Sequence, residues 1–168
     1  MMKKTYYLSL GSNLGNKITN LHRAVMFIKG MGHLKSISSV YQTSPVDMDA
    51  GTENFLNLAL SVESTLDPVD MLRRINVFES QMGRTESISG YVSRIIDIDI
   101  LMVNGDIISQ PSLTIPHPKM TKRAFVLVPL SEIASELIHP ILKKKVVDIL
   151  EEIETTETVD RYSEKLFD

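Results

Sequence analysis

Residues 5–30 have the sequence TYYLSLGSNLGNKITNLHRAVMFIKG, and within this stretch the pattern changes from that of a strand to that of a helix. The apolar and aromatic run at 5–10 predicts a β-strand, which ends at the turn-forming residues 11–16. Apolar side chains then recur every three or four positions and predict an amphipathic helix that ends at Gly30: Ile18, Leu21, Val25 and Ile28. The chain therefore begins with a strand followed by a helix.

The same alternation of strand and helix patterns continues along the chain. Two β-leaning runs follow at 34–42 and 55–63. The Asp-Pro pair at 67–68 is typical of a helix N-terminus, and that helix is expected to run to Met82. An apolar run at 95–103 predicts the next strand. The order β-α-β-β-α-β is typical of a ferredoxin-like α+β fold, in which split βαβ units form a mainly antiparallel sheet with helices packed on it.

The remaining residues are expected to extend this core within a single domain, 1–168. Asn104-Gly105 predicts a tight turn and an added hairpin strand at 106–109. Two further helices are predicted at 126–134 and 146–153. The polar end of the chain, 154–168, predicts a flexible tail.

Composition excludes several classes of function. The 168 residues contain no cysteine, so thiol nucleophiles, zinc–thiolate sites and disulfides are ruled out. With 18 Lys and Arg against 21 Asp and Glu, the net charge of −3 argues against nucleic-acid or membrane partners. No apolar run has the length of a signal-peptide core or a membrane span. We therefore expect a cytoplasmic protein. A monomer is a further expectation, which composition does not decide.

Two carboxylates interrupt the apolar strand at 95–103. Because residues two apart on a strand point to the same face, Asp97 and Asp99 are expected to lie side by side. The opposite face would be apolar: Ile96, Ile98, Ile100 and Met102. A divalent cation such as Mg²⁺ would relieve the repulsion between the carboxylates and could share its ligand shell with phosphates. The alternative is a solvent-facing strand end with two ordinary charges.

Basic residues lie on both sides of this strand. Arg84 and Arg94 border a segment with Gly and Ser that is expected to form a mobile lid, and guanidinium groups suit phosphate oxygens. Further along, His117 lies between two prolines and precedes three cations that suit a polyphosphate: Lys119, Lys122 and Arg123. Taken singly, Arg84 and Arg94 also fit ordinary surface arginines, and His117 also fits a hydrogen-bonded structural histidine.

The motifs taken together, in this order, resemble the 6-hydroxymethyl-7,8-dihydropterin pyrophosphokinase family of folate biosynthesis. They are GSNLG at 11–15, YQTSP at 41–45, FLN at 55–57, GR at 83–84, RIIDID at 94–99 and PHPKMTKRAFVL at 116–127. The resemblance runs from Tyr6 to Ile138. It implies transfer of the β,γ-diphosphate of ATP to the hydroxymethyl group of 6-hydroxymethyl-7,8-dihydropterin, with release of AMP.

The resemblance also implies a role for each motif residue. Asp97 and Asp99 would hold two Mg²⁺ ions that bridge the ATP phosphates, and Arg84 and Arg94 would stabilise the migrating charge. The residues expected near ATP are Glu79, His117, Lys122 and Arg123. The pterin would lie between Phe55 and Phe125, with its polar edge bonded by Asn57 and by the stretch Thr43, Ser44, Pro45 and Val46.

Two other interpretations fit parts of the sequence. A nucleotidyltransferase of the polymerase-β type also combines Gly-Ser with Asp-x-Asp, but in one short unit, whereas here two β-leaning runs and two helices separate Ser12 from Asp97. A pterin- or nucleotide-binding module without catalysis is the second. Its support is the segment 91–94, which is Tyr-Val-Ser-Arg here and commonly Trp-Gly-Pro-Arg in the family.

Overall fold

The computed structural model describes residues 1–46, 48, 50–83 and 93–167. Within these ranges the strands are β1 (Lys4–Ser12), β2 (His33–Ile37), β3 (Tyr41–Thr43), β4 (Phe55–Ser64), β5 (Asp97–Val103), β6 (Ile108–Gln110), β7 (Leu113–Ile115) and β8 (Val159–Arg161). The helices are α1 (Lys17–Lys29), α2 (Pro68–Gln81), α3 (Ala124–Ala134) and α4 (Val146–Glu152), with a 3-10 turn at Met120–Lys122. The predicted run at 34–42 divides into β2 and β3.

The main sheet has the strand order β5-β1-β4-β3-β8, and β2 also pairs with β4. β1 is antiparallel to both β4 and β5. Strand β4 therefore lies between the two strands joined by α1, and β1 lies between the two strands joined by α2. This interleaving is the split βαβ arrangement of a ferredoxin-like core, so the predicted α+β class is confirmed.

Helices cover the two faces of this sheet. On one face, α1 and α2 pack on the apolar side chains of β1, β4 and β5, including Leu8, Leu58 and Ile98. On the other face, α3 and α4 pack on a smaller cluster that includes Ala59 and Leu101. Further along this second face the sheet side chains become polar, and this is where the pocket described below lies.

An irregularity in the β1–β5 pairing changes one prediction. The register shifts between Tyr7, which pairs with Met102, and Leu8, which pairs with Ile100. Because the extra residue of this bulge turns the following side chain to the other face, Met102 packs in the α3–α4 cluster. The prediction that Met102 shares a face with Ile100 was therefore wrong. Ile96, Ile98 and Ile100 do lie together on the α1–α2 face.

The strand predicted to return along β5 takes another course. Asn104 receives a hydrogen bond from the Thr5 backbone N–H at 2.8 Å, and Lys4 forms an ion pair with Asp106 at 3.1 Å. These contacts fix the turn against β1. The chain then leaves the main sheet, and β6 pairs with β7 as a separate two-stranded sheet.

The C-terminal segment contains a strand where the sequence predicts a flexible tail. β8 pairs antiparallel with β3, and the Tyr162 N–H donates to the Val40 carbonyl at 2.8 Å. Among the described residues, no helix has both the length and the apolar composition needed to cross a bilayer.

Candidate active site

A pocket of about 580 Å³, counted with its open mouth, lies where β1, β4 and β5 approach the start of α3. Its lining residues are Ser9, Gly11, Thr43, Ser44, Val46, Met48, Phe55, Asn57, Asp97, Asp99, Arg123 and Phe125. Acidic, basic and aromatic groups thus share one cavity.

Two carboxylates line the pocket from β5. Asp97 pairs with Gly11 and Asp99 with Ser9 across the β1–β5 ladder, so small residues lie opposite both side chains. A third carboxylate approaches from α2, because Glu79, only 1% exposed, accepts a hydrogen bond from the Ile98 N–H at 2.7 Å. β5 is the edge strand of the main sheet, so this N–H needs a partner from outside the sheet.

The electrostatics of this carboxylate group suit a cation. Burial, followed by the charge of Asp97, raises the pKa of Asp99 to about 7, while Arg123 and Arg94 act in the opposite direction. A metal ion would remove the cost of ionising Asp99 beside Asp97. Among the described residues, no group of three or more His, Asp or Glu is placed to hold a metal ion by itself. Two carboxylates that leave the other ligand positions to water and phosphate are typical of Mg²⁺.

Arg94 is held in place by the turn that follows β1. Its Nη1 contacts Asp97 Oδ1 at 2.8 Å. Its backbone N–H donates to Asn13 Oδ1 at 2.7 Å, and its carbonyl accepts from the Asn13 N–H at 3.0 Å. Asn13 also donates to Ser93 Oγ at 3.1 Å and is completely buried. The Gly-Ser-Asn turn thus fixes the backbone from which Arg94 reaches the carboxylates.

His117 is a neutral hydrogen-bond donor beside Asp99. Burial, with further contributions from Arg123 and Lys119, lowers the pKa of His117 to about 4 despite the opposing charge of Asp97. Nδ1 accepts a hydrogen bond from the Lys119 N–H at 3.1 Å, so the ring proton is on Nε2. Nε2 lies 4.0 Å from Asp99 Oδ1. This geometry allows His117 to donate to an oxygen placed next to Asp99.

The other end of the pocket is an aromatic slot with a polar floor. Phe55 on β4 and Phe125 on α3 line it, and Asn57 donates to Thr43 Oγ1 at 2.6 Å. A Cβ at Gly11 would lie 2.5 Å from Asn57 Oδ1, so only glycine allows Asn57 this position. The Arg123 guanidinium lies 5.4 Å from the centre of the Phe125 ring, which connects the aromatic and charged ends.

The structure brings most of the predicted site residues together. Nine of them line the pocket: Thr43, Ser44, Val46, Phe55, Asn57, Asp97, Asp99, Arg123 and Phe125. Glu79, Arg94 and His117 contact or approach the β5 carboxylates from outside the lining. Pro45 lines a neighbouring cavity with residues 154–157, and Lys122 is exposed on the 3-10 turn. Arg84 and the lid residues 85–92 lie outside the described residues.

Sequence reasoning missed four residues of the site. Ser9, Gly11 and Met48 line the pocket, and Asn13 fixes Arg94. Ser9 and Gly11 could have been found from the period of two along β1, had the antiparallel pairing with β5 been known. Asn13 carried no local signal beyond its turn, because its partners lie 80 and 81 residues away.

Comparison with known proteins identifies the family. A family model for 7,8-dihydro-6-hydroxymethylpterin-pyrophosphokinase (HPPK) matches residues 7–135. The chain belongs to this family. An Aquifex aeolicus protein named 2-amino-4-hydroxy-6-hydroxymethyldihydropteridine pyrophosphokinase is 36% identical over 140 residues, which cover 83% of this chain and 86% of that protein. The predicted resemblance to the HPPK family is confirmed.

Some of the proteins that this chain matches are much longer than the chain. The folic acid synthesis protein FOL1 of Dictyostelium discoideum is 42% identical over 81% of this chain, but the match covers 20% of that protein. The solved structure of wild-type Plasmodium falciparum HPPK-DHPS with pteroate has a TM-score of 0.73 at 18% identity, over 90% of this chain and 42% of that one. At this identity the likeness shows the shared HPPK fold.

Proposed function

We propose that this chain transfers the β,γ-diphosphate of ATP to the hydroxymethyl oxygen of 6-hydroxymethyl-7,8-dihydropterin and releases AMP. The observation that carries the proposal is the single pocket that joins the Asp97–Asp99 pair to the Phe55–Phe125 slot. A flat heterocycle suits the slot, and a polyphosphate suits the charged end. The two ends are adjacent, so the hydroxymethyl group and the β-phosphate would meet between them.

Asp97 and Asp99 are the proposed ligands of two Mg²⁺ ions that travel with ATP. When bound, such ions neutralise phosphate charge and make the substrate hydroxyl easier to deprotonate. Glu79 supports this arrangement from α2, since its bond to the Ile98 N–H fixes the strand between the two aspartates. It is therefore assigned a positioning role near the nucleotide site.

Cationic and neutral donors would receive the phosphates. Arg94 and Arg123 carry permanent charges beside the carboxylates, and His117 offers its Nε2 proton next to Asp99. Preorganised donors of this kind stabilise the charge that develops as the diphosphate moves. Arg84 is proposed to act with them on the basis of the family motif, and Lys122 is proposed to contact ATP from the exposed 3-10 turn.

The pterin is proposed to stack between Phe55 and Phe125. Its amide and amino edge would face Asn57 and the backbone of residues 43–46. Because Asn57 already donates to Thr43, its carbonyl oxygen remains directed toward Gly11 and can accept from the ring. This pairing would orient the ring so that its hydroxymethyl group points at the carboxylates.

The decisive experiment follows the nucleotide product. The purified chain is incubated with ATP, Mg²⁺ and 6-hydroxymethyl-7,8-dihydropterin, and nucleotides are separated by chromatography. AMP should form in equal amounts with pterin diphosphate, and only when both substrates are present. ADP as the main product would mean attack at the γ-phosphorus, and pterin binding without any AMP would mean a binding module; either result would refute the proposal.

The polymerase-β interpretation also has a structural objection. In that interpretation Ser12 would face the nucleotide. Here Ser12 is completely buried, and its Oγ accepts a hydrogen bond from Asn20 at 3.2 Å. Ser12 therefore acts within the turn after β1, and does not line the pocket.

A further inference from the structure

Two sides of the pocket are joined by a segment that lies beyond the residues matched by the family model. One side is the end of β3, with Ser44 and with Thr43, which pairs with Phe55 of the slot. The other side is the start of α3, with Phe125. Glu157 Oε2 accepts a hydrogen bond from the Phe125 N–H at 3.0 Å. Thr158 bonds Ser44 twice, through its carbonyl to the Ser44 N–H at 3.2 Å and through its own N–H to Ser44 Oγ at 3.1 Å.

The start of α3 depends on this contact because it has no cap of its own. The N-cap residue is Arg123, which makes no side-chain hydrogen bond to the first turn. The first N–H groups of a helix need acceptors from elsewhere, and a carboxylate also suits the positive end of the helix. Glu157 supplies that carboxylate from 32 residues away.

Glu157 is itself held by the strand that follows it. β8 pairs with β3 through Thr43–Val159 and Tyr41–Arg161. The Arg161 guanidinium lies 3.8 Å from Glu132 on α3, and Tyr41 donates to the same carboxylate at 2.6 Å. The segment is therefore attached to both β3 and α3 at several points, so the position of Glu157 is set by the sheet.

The geometry points to residues 157–161 as a strap that sets the width of the aromatic slot, with Glu157 as a positioning residue for pterin binding. This inference rests on the proposed function, because it takes the slot as the pterin site. Glu157 does not touch the substrate. It holds the Phe125 backbone, and the position of that backbone determines the distance between the Phe125 and Phe55 rings. The contacts of the strap do not include the β5 carboxylates, so ATP binding should depend on it much less than pterin binding does.

The test compares two ligands in four variants by calorimetric titration. Glu157→Ala should raise the pterin Kd by about fivefold, the effect of one lost hydrogen bond, and should change the Kd of a non-reactive Mg²⁺–ATP analogue much less. Glu157→Gln keeps an acceptor oxygen and should restore most of the pterin affinity. Glu157→Asp keeps the charge but shortens the side chain, so it should weaken pterin binding. Glu154→Ala, an exposed acidic position on the same segment, is the matched control and should change neither affinity.

The outcomes separate the strap from the proposed function. If the wild type makes AMP but Glu157→Ala binds pterin normally, or weakens both ligands equally, the strap inference is wrong and the proposed function stands. If the wild type does not bind pterin, both fail. Should Glu157→Ala not fold, the Asp variant decides, since unchanged pterin affinity in it would overturn the inference.

Discussion

Asp99 shows how one residue can be costly for the fold and useful for the site. Its side chain is 31% exposed and lies beside Asp97, and its partial burial together with the charge of Asp97 raises its pKa to about 7. The facing residues Gly11 and Ser9 carry no charge, and Arg123 and Arg94 offset the cost of ionising Asp99 only in part, since its pKa stays raised. Replacing Asp99 should therefore stabilise the protein when no ligand is bound. The presence of Asp97 and Asp99 on an otherwise apolar strand is what a metal–phosphate site requires.

The first prediction concerns the pH dependence of Asp99→Asn without metal. Between pH 4 and 7 the folded state binds more protons at Asp99 than the unfolded state, because the pKa rises from 3.8 to about 7 on folding. The stability contributed by Asp99 is therefore full below pH 4 and is lost as the pH rises to 7. Over this pH range Asp99→Asn should become increasingly more stable than the wild type, and above pH 7 the difference in the free energy of unfolding should stay constant.

Thermal unfolding from pH 4 to pH 8 in a chelating buffer measures this difference. Asp160→Asn, at an exposed position on β8, is the control and should follow the wild type at every pH. A difference between Asp99→Asn and the wild type that does not change with pH would contradict the burial of this carboxyl group.

The second prediction concerns Gly11→Ala. The new Cβ would lie 2.5 Å from Asn57 Oδ1, so Asn57 must leave the position from which it faces the slot. We expect the pterin Kd to rise about tenfold, the effect of one lost polar contact in a buried site, with the ATP affinity unchanged. Gly105→Ala is the control, because a Cβ there meets no atom within 4 Å. Normal pterin binding by Gly11→Ala would show that Asn57 does not recognise the ring.

Among the structural elements, the turn between β1 and α1 has a structural role that its sequence does not indicate. It resembles a phosphate loop, yet its residues bond to protein groups: Asn16 caps α1 through the Thr19 N–H, and Asn13 holds the backbone of Arg94. This turn therefore fixes the position of the Arg94 backbone, three residues before β5. In the proposed reaction this turn would contribute by positioning Arg94.

The third prediction tests this with a double-mutant cycle. Arg94→Ala should lower kcat by about 10²- to 10³-fold, as for the loss of one preorganised charge donor, with little change in ATP affinity. Asn13→Ala should lower kcat in the same direction and destabilise the fold by about 1–3 kcal/mol, since it leaves buried polar groups without partners. Because Asn13 acts through Arg94, the double variant should be no slower than Arg94→Ala alone. Multiplied effects on kcat would mean that Asn13 acts independently.

For the molecule as a whole, the sheet has one face for the core and one face shared between core and site. α1 and α2 cover the first face with apolar side chains, whereas α3 and α4 pack over Ala59 and Leu101 on the second. The pocket lies beyond this cluster, at the start of α3. A ligand bound there would contact β1, β4, β5 and α3 together, so its binding should stabilise the entire domain.

The fourth prediction quantifies this coupling. A non-reactive ATP analogue with Mg²⁺ at about 100 times its Kd should stabilise the wild type by about 2.7 kcal/mol. For a chain of this length that raises Tm by about 5–10 °C. Asp97→Asn should gain much less, because one of the two proposed metal ligands is lost. An equal gain in Asp97→Asn and the wild type would show that these carboxylates do not hold the metal.

Features that depend on neighbouring residues in the chain could be predicted from the sequence. The periods of β1 and α1, the Asp67 cap of α2 and the spacing of Asp97 and Asp99 are local, so they could be predicted from residue type and order. Contacts between residues that are far apart in the chain became known only from the tertiary structure. Three such contacts join residues between 32 and 95 positions apart. They are the β-bulge at Met102, the bonds between Asn13 and Arg94, and the contact of Glu157 with Phe125. No local pattern encodes such partners, because they are selected only when the sheet register and the packing of α3 bring them within bonding distance.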